Sequence, residues 1–168
     1  GSFYGQLHSS VLENAIINAM TNGRNGNGTL VVFASGNQSP AIDYPASFHN
    51  DILCVGAITS SGSRSPFSGH GNELDVVAPG SNILSTIPNQ NTASWNGTSM
   101  AAPHVTGIIA LILSVNPDLA LQDVSNIIES TAQKVGGYSY VNNPNRTNGT
   151  WHEQMGYGLV DAFSAVQM

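Results

Sequence analysis

Between residues 10 and 23 the apolar positions fall at Leu12, Ala15, Ile16, Ala19 and Met20, a spacing that collects them on one stripe of an α-helix. Ser10 and Glu13 stand at capping-box spacing, and Gly23 is the stop signal. After GRNGNG (residues 23–28), which reads as a flexible loop, the period changes. TLVVFAS (29–35), DILCVGAI (51–58) and LDVVAPG (74–80) are short, continuous, β-branched apolar runs that end in small or turn-forming residues. Such runs are strands buried on both faces, as in a parallel sheet. From Thr98 to Val115 the spacing becomes helical and closes at Asn116-Pro117. LALQDVSNIIESTA (119–132) is a second amphipathic helix, and a last helix is expected near Leu159. Strands mixed with helices indicate an α/β fold of three layers around a mainly parallel sheet. No repeat or linker divides residues 1–168, which are read as one domain.

Composition narrows the classes of function. Hydrophobic residues are 40% and charged residues 8% of the 168, with 18 glycines, so the chain is globular and loop-rich. Ten acids against four scattered bases, Arg24, Arg64, Lys134 and Arg146, give a formal net charge of −6. That argues against nucleic acid as a partner. No unbroken apolar run reaches the about 18–20 residues of a membrane span, so no membrane association is expected. Cys54 is the one cysteine, which excludes an intrachain disulfide, and its apolar strand makes it a packed thiol. Gly1-Ser2 is either native or a cloning remnant.

Candidate chemistry gathers in NGTSMAAPHVTG, residues 96–107. Gly97 permits a tight turn, and Ser99 stands at a helix start, where free N–H groups stabilise developing negative charge. The same serine is also an ordinary capping residue, so both readings stand here. Asn37, after the strand ending FASGN, is a second oxyanion donor if that strand lies beside the Ser99 helix, and a turn residue otherwise. GRNGNG only faintly echoes a phosphate loop. It follows a helix and precedes a strand, the reverse of the nucleotide-binding arrangement.

GTSMAAPHV around Ser99, FASGN ending in Asn37, DYPAS from Asp43, LDVVAPG from Leu74 and GYGLVDA near the C-terminus occur together and in this order. In these motifs the chain resembles the subtilisin-like serine proteases, the subtilases. The resemblance implies an incomplete subtilisin-like fold whose first strands are absent. It implies that Ser99 is the nucleophile and that the Asn37 amide and the Ser99 N–H hold the oxyanion. Ala34, Ser35 and Gly36 would line the pocket for the residue before the cut, with Asp43 near its floor. A carboxylate there would favour Arg or Lys, although Asp43 is also suited to capping a turn.

The family's chain order is Asp, His, Ser, and its Asp-Thr-Gly or Asp-Ser-Gly and His-Gly-Thr contexts do not occur here. His104 follows Ser99 by five residues, about 140° around a helix, and cannot reach that hydroxyl. His8, His49, His70 and His152 read as solvated loop residues, and Asp75 and Asp161 as residues that end or cap elements. The resemblance therefore makes residues 1–168 the C-terminal portion of a catalytic domain, inactive alone, whose base lies in a missing N-terminal part. An exposed sheet edge would then promote self-association. The alternative is a catalytically dead subtilase-like domain used for binding or scaffolding. No cofactor is expected; structural calcium is possible in the full domain, yet no carboxylate spacing here makes a calcium loop. The expected partner is a polypeptide substrate, and the expected location is outside the cell or in the cell envelope.

Overall fold

The computed structural model describes residues 8–38 and 40–168; Gly1 and Ser2 lie outside the described residues. The helices are α1 (Ser10–Asn22), α2 (Thr98–Val115), α3 (Leu121–Ser130) and α4 (Ala162–Val166). The strands are β1 (Val32–Ala34), β2 (Leu53–Ile58), β3 (Val76–Pro79), β4 (Ile83–Ile87), β5 (Asn91–Trp95), β6 (Val141–Asn143) and β7 (Arg146–Trp151). β1, β2 and β3 form a parallel sheet in that order, with Val32 opposite Leu53 and Val55 opposite Val76. The chain has the α/β class that its sequence pattern indicates.

Alternation along β2 explains why its whole length is buried. Leu53, Val55 and Ala57 face one side, where Val76 and Ala78 of β3 join Ala101, Val105, Ile109 and Ile112 of α2 and Val124 and Ile128 of α3. Cys54 and Ile58 face the other, with Val77, Leu74, Ile42 and Met155. A strand covered on both faces needs apolar residues at every position. Ile16 and Met20 of α1 pack on Ile52 and Leu121, which fastens that helix beside the β1 edge.

Several local readings shift. Ser9, one residue earlier than Ser10, caps α1 by accepting the Leu12 N–H, and Glu13 meets His8 at 3.2 Å. Adjacent serines offer the same chemistry, so the pattern alone misassigns the register. The last helix begins at Ala162 and not near Leu159, because Leu159 is extended, bridging Val77 and Gln133. Asp161 caps α4, accepting from the N–H groups of Phe163 and Ser164. By length and composition alone α2 is apolar enough to cross a membrane. Averaging over its Ser, Thr and His finds what a search for an unbroken run misses; its buried side packs on the sheet.

Asp75 stands directly before β3, and its side chain caps no helix. It is 3% exposed, accepts the Cys54 N–H through Oδ2 and meets Arg146 Nη1 at 2.5 Å through Oδ1. Burial pushes its carboxyl up to about 7, against the pull of Arg146. Arg146 also donates to the Asn72 carbonyl, and Trp151 Nε1 donates to the Leu74 carbonyl at 2.8 Å. These bonds anchor the β6–β7 hairpin to the chain entering β3. That hairpin, like β4–β5, has too polar a sequence to announce itself by alternation.

Candidate active site

The site forms where the β1 exit meets the start of α2. Gly97 is the N-cap of α2, with no side-chain cap bond, so Ser99 stands inside the first turn and does not cap. Among the described residues its hydroxyl has no hydrogen-bond partner. Gly97 has φ +159° at a bend, a conformation that L side chains rarely adopt. Its lack of a side chain matters for space. A Cβ on Gly97 would lie 3.5 Å from Asn37 Nδ2 and 3.7 Å from the Ser99 nitrogen, so both donors border one small hollow.

Thr98 sets this geometry. It is fully buried, and its N–H and hydroxyl donate to Asn37 Oδ1 at 2.8 and 2.9 Å. Both bonds occupy the oxygen end of the carboxamide and leave the Nδ2 donor to the hollow. The reading of Asn37 as a simple turn residue thus omits its tertiary partner, and Thr98 itself was overlooked. Its only signal was its place beside Ser99.

A cleft of about 420 Å³ opens in front of these groups. Ala34, Gly36, Asn37, Asp43 and Ser99 line it, with Tyr44 and Pro103. Ser35 does not line it, contrary to expectation. Successive residues of an extended chain face opposite sides, so Ala34 and Gly36 meet the cleft while the buried Ser35 hydroxyl donates to the Gly69 carbonyl at 3.0 Å. Gly36 is required twice over. Its φ is +100°, and a Cβ there would sit 2.4 Å from Asp43 Oδ2. The close approach keeps an exposed carboxylate on the cleft wall.

Among the described residues no histidine lines this cleft. His104 is exposed on α2, with Nδ1 at 2.8 Å from the Met100 carbonyl. His152 is not a solvated loop residue. It bridges Gly156 and lies between the rings of Tyr138 and Tyr140, at 5.0 and 6.0 Å. His70 is half-buried, and burial, then the charge of Arg64, pulls its pKa below the usual histidine range. His8 is exposed, and His49 is half-buried beside Asp51.

Comparison with known proteins shows the family. The profile described as the Subtilase family matches residues 4–158. Subtilisin DY of Bacillus licheniformis is 40% identical over 144 residues, covering 83% of this chain and 50% of that relative. Subtilisin BL of Lederbergia lenta is 43% identical over 129 residues, covering 76% and 46%. Alkaline elastase YaB of Bacillus sp. (strain YaB) is 38% identical over 160 residues, covering 95% and 37%. The chain spans half or less of the length of these relatives.

Proposed function

Because the chain belongs to the subtilase family, we propose that it carries the nucleophile and the oxyanion site of a serine endopeptidase. Ser99 Oγ attacks the carbonyl carbon of a peptide bond, and the oxygen that gains negative charge is received by Asn37 Nδ2 and the Ser99 N–H. Collapse of that intermediate expels the amine and leaves an acyl-enzyme on Ser99, which water then hydrolyses. The observation that carries the reading is the convergence of those two donors over Gly97.

The proton of Ser99 needs a base, and among the described residues no histidine lines the cleft. In this reading the family's His and Asp belong to a preceding part of the parent protein, and residues 1–168 alone are inactive, since an unassisted serine is a weak nucleophile at neutral pH. A catalytically dead parent, used for binding or scaffolding, is the second reading. A His-Gly-Thr and an Asp-Thr-Gly or Asp-Ser-Gly in the parent sequence would exclude it.

Asp43 extends the proposal to the substrate. Its carboxylate stands against Gly36 on the cleft wall, where it would pair with Arg or Lys before the cut. The substrate is a polypeptide, and secretion or attachment to the envelope follows from kinship with the subtilases. Among the described residues no three His, Cys, Asp or Glu are grouped to hold a metal, and the Asp75 carboxylate is taken by Arg146.

The experiment is fluorophosphonate labelling of the parent enzyme. Adduct on Ser99, with loss of both label and peptidase activity in Ser99→Ala, is the expected result. Adduct on another side chain, or an active Ser99→Ala enzyme, overturns the assignment.

A further inference from the structure

Asn37 is shared by two clefts. Besides the one that holds Asp43, a second of about 400 Å³ opens at Asn37, with Arg64, Phe67 and His70 in its wall. The segment carrying these residues is fastened to the loop that carries Asn37. The Gly69 N–H donates to the Gly36 carbonyl and the His70 N–H to the Pro40 carbonyl, both at 2.9 Å.

Arg64 is held rigidly here. Its Nη1 donates to the carbonyls of Ser65, Pro66 and Ser68, at 3.2, 3.5 and 2.7 Å, and its backbone N–H donates to the Tyr138 hydroxyl. Nε is buried without an acceptor, and no carboxylate forms an ion pair with this guanidinium among the described residues. Carbonyl dipoles orient the charge but do not cancel it. In a chain with four bases and ten acids, an unneutralised cation beside a reaction site is selective.

We infer that this second cleft receives the leaving-side portion of a polypeptide substrate and favours Asp or Glu within two residues after the cut. The inference rests on the proposed peptidase reading. An extended chain advances about 3.3–3.6 Å per residue, so a peptide lying over Ser99 and Asn37 with its basic side chain at Asp43 places its next residues in the second cleft. The walls then have opposite charge on the two sides of the scissile bond, acidic at Asp43 and basic at Arg64, with Phe67 as an apolar surface for the side-chain stem.

His70 makes the preference depend on pH. The charged and titratable groups around it are Arg64, Glu153 and His152. Burial and Arg64 lower its pKa, and Glu153 opposes them. At neutral pH His70 is therefore uncharged and Arg64 acts alone. Below the usual histidine range a second cation joins it.

The test uses the parent enzyme and three peptides alike except for Glu, Gln or Lys in the two positions after an Arg. At low salt and pH 7.5, kcat/KM should fall in the order Glu, Gln, Lys, with about tenfold between the extremes. Added salt should narrow the ratio. Lowering the pH to well below the usual histidine range should widen it in the wild type but not in His70→Gln, a variant that spares the buried contacts of Arg64. Equal cleavage of the Glu and Lys peptides at low salt, or a preference for Lys, overturns the inference while the peptidase reading stands. Failure to cleave these three while a matched peptide with Phe before the cut is cleaved overturns the inference and the role of Asp43; failure to cleave the Phe peptide as well sinks the peptidase reading.

Discussion

Asn37 and Thr98, 61 positions apart in sequence, are joined twice, the Asn37 carboxamide oxygen accepting both the N–H and the hydroxyl of Thr98. The buried threonine thereby orients the free amide toward the hollow beside Ser99. In the parent enzyme, Asn37→Ala should lower kcat by ~10²–10³ with little change in KM; that magnitude is the loss already established for removing this donor from a subtilisin. Thr98→Val removes the hydroxyl tie alone and should give a smaller loss of kcat. Steady-state kinetics of the two variants checks both, and a KM effect without a kcat effect would contradict the assignment.

Gly97 keeps the hollow open. A methyl there would stand 3.5 Å from one donor and 3.7 Å from the other, in the space a reacting oxygen needs. Gly97→Ala should therefore lower kcat toward the same ~10²–10³-fold loss. An alanine variant with wild-type turnover would mean that the reacting oxygen lies elsewhere.

In the proposed reading Asp43 sets specificity and does not alter turnover of neutral substrates. Asp43→Asn should lower kcat/KM for peptides with Arg before the cut by about 10–100-fold, the value of a charge-assisted contact. Matched peptides with Phe should be little affected. A ratio of Arg to Phe cleavage that does not move between wild type and variant would assign Asp43 to the turn alone.

The buried pair of Asp75 and Arg146 gives stability a particular slope with pH. Burial raises the Asp75 carboxyl from its ordinary range to about 7 and raises that of Glu129 as well. A raised folded-state pKa means that the folded chain holds the proton more tightly. The contribution is complete below about 4 and is lost as pH rises through about 7. The urea midpoint should accordingly be higher at pH 5 than at pH 8, and Asp75→Asn should flatten the difference. Arg146→Met leaves the carboxylate buried without its partner and should cost about 3–5 kcal/mol at pH 8. Much of that loss should return when Asp75→Asn is added.

α2 exposes apolar side chains, with Leu111 at 52% and Val115 at 65%. In the isolated chain this face should drive self-association, as apolar surface exposed in a continuous patch does. Sedimentation velocity should show oligomers that diminish in Leu111→Glu. A monomer at all concentrations would remove the self-association reading.

Elements whose residues report on their own surroundings were legible in the sequence. The β2 segment is apolar throughout because both its faces are covered, and α2 has the limits set by Gly97 before it and Asn116-Pro117 after it. The polar hairpins carried no such signal. VNN and RTNGTW form strands because Arg146 and Trp151 bond to the chain around Asp75, and those partners are more than 70 positions away. Ser9 and Ser10 could not be ranked as caps, since neighbouring hydroxyls have equal local chemistry.

By itself the sequence determined the class of fold, the helix that bears Ser99, and membership of a family through motifs whose order is part of their meaning. Tertiary structure alone decided which groups share a site. It turned Ser35 away from the cleft while leaving Gly36 and Asp43 on its wall, and it took Asp75 into an ion pair. The physical reason is range. Periodicity and capping act over a few residues of chain, whereas a hydrogen bond such as Thr98 to Asn37 exists only once packing has closed the loop between them.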